Sequence, residues 1–299
     1  AFADGAIDFS PALTYDNFER LLNLPSDSDA RPVTARVSLH GSLAALKVTP
    51  TIELDDQSWL GGQVDLGLGD TTTVKGEITV QPVSGFVPEA YRDLLADGGV
   101  VTLDLAQTNS RTTLNNTAFL VGETSLMVQG VVDTAESLLD VRIEGTVADL
   151  QEFEGLAGTN LAGSIHVALT AKGGTSGTTV TGTLDVEEVV AGTAHAPTGT
   201  LGIDIKAGPF PDGLTDRIET ALAGSFPGLQ LKPEVTRDLK VAGVVTVEAL
   251  QHVVVKDLAI SDGNLDLSAD GSINLENRAA DFKSTIAVVE IGDYADIAG

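Results

Sequence analysis

The chain has 299 residues, no cysteine, one tryptophan, three tyrosines, and a formal net charge of −26 from 17 basic and 43 acidic side chains. Disulfides, thiolate metal sites and cysteine nucleophiles are thereby excluded, and so acidic a surface disfavours nucleic-acid binding and charge-driven attachment to anionic membranes. Aromatic residues make up only 4% of the chain; Val, Leu, Ile, Ala, Thr and Gly dominate instead, a mixture that suits pleated surfaces with thin aliphatic cores.

In chain order, Thr14 reads as the cap of a helix that places Tyr15, Phe18, Leu21 and Leu22 on one face. Alternation of apolar and polar residues then predicts strands through Val37-Leu39, Val64-Leu66-Leu68 and Val74-Ile78-Val80, with turns at Asp55-Asp56 and Gly69-Asp70. A second helix is expected to start at Pro88 and run through Tyr91, Leu94 and Leu95, since proline is tolerated in a first helical turn. Strands resume at Val101-Leu103-Leu105 and Val141-Ile143, and a short helical turn is expected over 149–157.

The second half alternates most clearly. In 161–171, Ile165, Val167 and Leu169 point one way; in 178–187, Val180, Leu184 and Val186 do the same; and in 199–206, Leu201, Ile203 and Ile205 alternate with Gly202, Asp204 and Lys206. The four-residue spacing of Leu214, Ile218 and Leu222 predicts a third helix over 212–223. Further strands follow at Val245-Val247, at 263–269 with Leu265 and Leu267, at 271–276 with Ile273 and Leu275, and at Ile286-Val288. Turns are expected at Gly173-Gly174, Asp262-Gly263-Asn264 and Asp270-Gly271, and a last helical turn over 290–298. Each such strand has one dry and one wet face, as antiparallel sheets do.

An internal repeat organises these strands. Segment 111–158 aligns without a gap on 252–299, pairing Ala118 with Ala259, Gly122 with Gly263, Leu126 with Leu267, Gly130 with Gly271 and Asp140 with Asp281. The two copies close on VADLQEFEGLAG and VVEIGDYADIAG. A one-sided sheet cannot bury its dry face alone, so such units share that face with their neighbours. At a strand spacing of about 4.8 Å, roughly eighteen strands would extend roughly 85 Å. The fold class expected is all-β with a few short helices: an elongated, bent, mostly antiparallel, repeat-built sheet forming a U-shaped trough with a hydrophobic groove.

No enzyme is expected. His40, His166, His195 and His252 are scattered without metal-ligand spacing, and no nucleophile elbow or phosphate-binding glycine loop follows a strand. Asp55-Asp56, Glu187-Glu188 and Glu152 with Glu154 lie in predicted turns or on wet faces, where a solvated carboxylate is the plain reading. No cofactor or metal is expected. The working surface expected is the aliphatic face itself: Ile165, Val167, Leu169, Val180, Leu184, Val186, Leu201, Ile203, Ile205, Leu265, Leu267, Ile273 and Leu275. Left unroofed, that face would hold acyl chains; closed, it would simply be core. The start of the chain lacks the features of a signal peptide, and no run reaches the roughly 18 apolar residues of a membrane helix, so a fragment or processed form with its anchor elsewhere is expected.

VRIEGTVADLQEFEGLAGTNLAGSIHVALTAKG at 141–173 and VVVKDLAISDGNLDLSADGSINLENRAADFKSTIAVVEIGDYADIAG at 253–299 resemble the repeats of TamB-like bacterial envelope proteins, in which a strand pair ends in a "dl..la" turn followed by "l.G.l.l.l...G". TYDNFERLLNLP at 14–25 and TTTVKGEITVQPVSGFVPEAY at 71–91 look like the AsmA-type version of the same architecture. The division implied is an AsmA-like β segment with short helices over 1–110, continuous with TamB-like repeats over 111–299. The resemblance implies a periplasmic body, anchored in the inner membrane outside this segment, that conducts phospholipid toward the outer membrane in a hydrophobic groove. It also implies an association with an outer-membrane barrel protein, so a scaffold for barrel assembly is a second reading. A structural or adhesive extracellular β-solenoid is a third.

Overall fold

The structure, a computed structural model, describes residues 7–15, 32–42, 44–54, 56–82, 91, 94–232 and 235–289. They form eighteen strands and one short helical segment, the all-β architecture that the alternation predicts. Among the described residues no helix is long and apolar enough to cross a membrane. The chain divides into two compact units, Ala1–Gln129 and Gly130–Gly299.

The first unit opens with two short pieces, β1 (Ile7–Phe9) and β2 (Ala12–Tyr15). Both pair antiparallel with the same side of β3 (Val33–Ser42). The break between them falls at Ser10-Pro11, because proline has no N–H to give a ladder; the Pro11 carbonyl still accepts from the Val37 N–H at 3.3 Å. From β3 the sheet continues antiparallel through β4 (Ala45–Leu54), β5 (Gln57–Gly67), β6 (Thr72–Val80), β7 (Gly99–Thr108) and β8 (Arg111–Val121). Register aligns Leu46, Leu66, Val74, Leu105 and Leu114 across successive strands. Val33 lies opposite Leu54, which is 1% exposed. Ile52 opposes Leu60 while Glu53 opposes Ser58, so Trp59 is one residue too many, a bulge. Trp59 and Ile52 pack on the Val33–Leu54 pair.

Strand β9 (Thr124–Asp133) runs across the division between the units. The second unit continues with β10 (Leu138–Val147), β11 (Leu161–Gly174), β12 (Gly177–Ala191), β13 (Ala194–Ala207), β14 (Arg217–Lys232), β15 (Val235–Glu248), β16 (His252–Ser261), β17 (Leu265–Asn274) and β18 (Ala279–Val288). From β10 to β18 each is antiparallel to the next. Between β10 and β11, a 3-10 turn over Leu150–Phe153 leads into α1 (Glu154–Ala157). The Asp149 carboxylate accepts from the Gln151 N–H at 2.9 Å, and Gly158 ends the helix at φ 66°, a left-handed cap that glycine adopts without a steric cost.

The sequence repeat has a structural counterpart. Shifted by its constant spacing, β9 and β10 fall end for end on β17 and β18, and β8 begins where β16 begins. The turns repeat as well. Asp133 Oδ1 accepts from the N–H groups of Ala135 and Glu136, and Asn274 Oδ1 accepts from those of Glu276 and Asn277. Ser137 and Arg278, the next residues in the two copies, both take positive φ, 50° and 57°.

Three expectations are corrected. The helix predicted over 212–223 is absent: 217–232 is β14, held between β13 and β15. A four-residue spacing satisfies period 2 as well as period 3.6, and pairing on both sides decides for the strand. Asp270-Gly271 is not a turn but the middle of β17, so the separate strands expected at 263–269 and 271–276 are one. Thr14 is not a helix cap; it lies in β2. The rest of the first predicted helix and the predicted turn over 290–298 lie outside the described residues. Of the second, the described part is a single turn in which the Leu95 N–H donates to the Tyr91 carbonyl at 3.0 Å.

Candidate functional site: the aliphatic face

Directly opposed residues of an antiparallel pair share a face, so register shows which side chains assemble. In the second unit one line runs Gly145, Val167, Leu184, Leu201, Gly224, Val241, Ile260, Leu267 and Ile286. Beside it Val141, Ala171, Val180, Ile205, Thr220, Val245, Val255, Gly271 and Phe282 form a second. Ile165 with Val186, Leu169 with Ile203 across Gly182, and Ile273 with Val253 lie in flanking lines. Twelve of the thirteen predicted side chains therefore share one face. Leu275 does not join them: it follows the end of β17 in a turn and is 52% exposed.

None of the twelve is buried, and all are half-buried. Among the described residues the short 3-10 and α1 turn is the only helical structure in the unit. At β18 the cover falls away, leaving Phe282 48% and Ile286 62% exposed.

Three local devices keep the face continuous, and alternation alone could not reveal them. Val244 opposes Lys256 while Ala242 opposes Ala259, so β16 carries an extra residue at Asp257, which takes φ 51°. Its N–H donates to Asp270 Oδ1 at 2.8 Å. This bulge returns Leu258 and Ile260 to the side already occupied by Val253 and Val255; the adjacent polar pair Lys256-Asp257 is the signal a sequence reading could have used. The other two devices are aromatic–glycine pairs. Phe226 lies across Gly199 and Phe282 across Gly271, each ring so close that a Cβ on the glycine would collide with it. Glycine lets the ring lie flat over the neighbouring backbone.

The opposite face is polar. Arg217 reaches Glu219 at 3.1 Å and Glu248 at 3.5 Å, and Thr200 donates to Asp185 at 2.7 Å. His166 sits there, within 3.1 Å of Thr146 Oγ1. Two hollows open on this face: one of about 480 Å³ is lined by Lys256, Asp270, Asp281 and Lys283, and one of about 410 Å³ by Ala223, Ala242 and Ala259 beside Lys240. In the first unit a hollow of about 800 Å³ is lined by Asp65, Lys75, Glu77 and Asp104. There Asp104 accepts from Asn115 Nδ2 at 3.0 Å and pairs with Lys75 at 3.2 Å. These contacts, the Asn115 hydrogen bond first, hold its carboxyl below the ordinary value. Among the described residues no group of three His, Asp or Glu side chains gathers as a metal site.

One charged pair interrupts the aliphatic face at its rim, and the sequence reading missed it. Arg237 stands on the face beside Leu239 and Val241, with its Nε 4.0 Å from Asp262. Asp262 is buried, and its Oδ1 accepts from the N–H groups of Asn264 and Leu265.

No family model, curated protein or solved structure matches this chain.

Proposed function

We propose that this chain is a segment of a lipid-conducting bridge in a bacterial envelope, holding phospholipid acyl chains against the aliphatic face of its second unit. The observation that carries the reading is that twelve predicted aliphatic side chains share one face and none of them is buried. A second support is the resemblance of 141–173 and 253–299 to TamB-like repeats, which brings with it a periplasmic location and an inner-membrane anchor outside the segment.

The energetics suit conduction better than storage. A fully buried methylene gains about 0.8 kcal/mol, and a chain laid on an open face is covered on one side, so roughly half of that applies. A sixteen-carbon tail then gains about 6 kcal/mol, comparable to the lower range of the association cost. Lines of Ile, Val and Leu offer successive positions of similar energy, and a bound tail can slide among them. Aliphatic walls select weakly among headgroups.

Native mass spectrometry of chain purified from membrane-containing expression tests the proposal. Adducts with the masses of phospholipid or fatty acid are expected. A spectrum of bare chain, unchanged after incubation with phospholipid, contradicts it.

A further inference from the structure

We infer that Arg237 is the docking point for the phosphate headgroup of a lipid whose tail lies on the aliphatic face, so that this face prefers phosphate-bearing lipids to neutral glycerides. Arg237 adds a site for the head to the acyl-binding reading proposed above, on which this inference rests.

An amphiphile laid on an open sheet must keep its head in water, so the head leaves the face over one of the two rims formed by the strand ends. Those rims differ. At one, register aligns an unbroken line from Leu139 on β10 through Ile218 on β14 to Ala280 on β18, and no residue in it is charged. At the other, Arg237 continues the face beyond Leu239 and stands opposite Leu229, with Asp262 just past the end of β16. Among the described side chains of β10 to β18, Arg237 is the only Lys or Arg on this face; the register turns the others to the polar side.

The turn does not require this pair. In the first copy of the repeat the counterpart of Asp262 is Val121, one residue before the paired glycines Gly122 and Gly263. Val121 is buried and apolar, and both glycines take positive φ, 55° and 86°, so the turn closes with or without a carboxylate. The side chains of Arg237 and Asp262 are 24% and 5% exposed, with 4.0 Å between Nε and Oδ2. Taking both charges out of water costs free energy that an attraction at this distance offsets incompletely. A guanidinium held at the edge of an aliphatic surface is thus better accounted for by a ligand than by the fold.

The chemistry names the head. The planar fork of a guanidinium matches two phosphate oxygens at once. Asp262 competes for it chiefly through Oδ2, since Oδ1 accepts from the N–H groups of Asn264 and Leu265. The chain as a whole carries −26 and repels anions, so a local cation decides where an anionic head can rest. A neutral diacylglycerol with the same tails covers the same aliphatic side chains but brings no phosphate, and Arg237 gives it no advantage. The walls let a tail slide; the guanidinium marks one stop.

Competition in native mass spectrometry is the test, with the lipid-free full chain and equimolar phosphatidylglycerol and diacylglycerol of identical tails. The phosphate-bearing lipid is expected to occupy the unmodified chain about tenfold over the glyceride, a comparison that needs no variant to fold. Arg237→Gln should lose that preference, and Arg237→Lys should keep part of it. Asp262→Asn keeps the turn acceptor and removes the competing charge, so it should raise the preference; a pair with a structural role alone would move both variants in the same direction. Phosphorus NMR with inorganic phosphate should show no saturable binding, because the tail supplies most of the hold. Equal occupancy by the two lipids, a folded Arg237→Gln chain with full preference, an Asp262→Asn chain that loses it, or saturable binding of phosphate by itself overturns the inference while acyl binding stands. A chain that takes up neither lipid overturns the acyl reading and this inference with it.

Discussion

Ile203 lies in the middle of the aliphatic face, opposite Gly182 on β12 and Leu222 on β14, and Ile203→Asp distinguishes an open face from a closed core. The side chain is mostly but not fully covered, so its removal forfeits most of the roughly 1.5–3 kcal/mol of full burial, about 2 kcal/mol. The lower strand preference of aspartate adds up to about 1 kcal/mol. On an open face the carboxylate keeps its water, and the total stays at about 3 kcal/mol. In a sealed core the unpaired charge would cost several kcal/mol more and unfold the protein. Urea unfolding followed by circular dichroism measures the first quantity, and native mass spectrometry measures acyl adducts on the same samples. A folded variant with depleted lipid is the expected outcome, with Ile203→Ala folded and still loaded. An Ile203→Asp chain that cannot fold would mark the face as closed core, and one that folds and retains its lipid in full would rule out acyl binding there.

Gly182→Ala places a Cβ against the Ala168 carbonyl and the Leu169 Cα, backbone atoms that no rotamer change can move, so a loss of about 1–3 kcal/mol is expected in thermal unfolding; Gly199→Ala, which meets the movable ring of Phe226, should cost less, and equal costs would contradict the distinction. Asp133→Ala and Asn274→Ala each remove a side-chain acceptor for two turn N–H groups; each should destabilise by about 1 kcal/mol, and a marked difference between them would argue against equivalent turns. Because the folded carboxyl of Asp104 titrates below its unfolded value, its contribution to stability is complete above the unfolded pKa and disappears as pH falls through the folded one. Carboxyl-carbon NMR should show Asp104 titrating below ordinary aspartates, with Asn115→Ala moving it upward; no movement refutes the assigned cause.

The aliphatic face was legible in the sequence because strand side chains alternate with a period of two, and long stretches of the second unit keep that phase. From Ile165 to Leu169 and from Leu201 to Ile205, pattern and register agree residue by residue. The sequence reading failed where a local feature resets the phase or imitates it. Asp257 shifts β16 by one residue, and the alternation breaks there at the polar pair Lys256-Asp257, so no strand was expected between Val247 and Leu265. Leu214, Ile218 and Leu222 fit a helix and a strand equally well, and only the neighbouring β13 and β15 decide. Asp270-Gly271 has the composition of a turn, yet Gly271 is in the strand, paired on both sides with Val255 and Phe282. Leu275 continued the alternation on paper, but β17 ends at Asn274, whose side chain caps the following turn.

The absence of cysteine from the chain permits a background-free scan of whether the aliphatic face is open to solvent. Single cysteines replacing Val167, Leu184 and Ile203, with Leu54 as the buried reference, would be reacted with a small maleimide under native conditions, before and after loading with phospholipid. Rapid labelling is expected at the three face positions, negligible labelling at Leu54, and slowed labelling at the face alone once lipid is bound. Face positions as unreactive as Leu54 in the lipid-free chain would show the face covered and rule out its holding lipid.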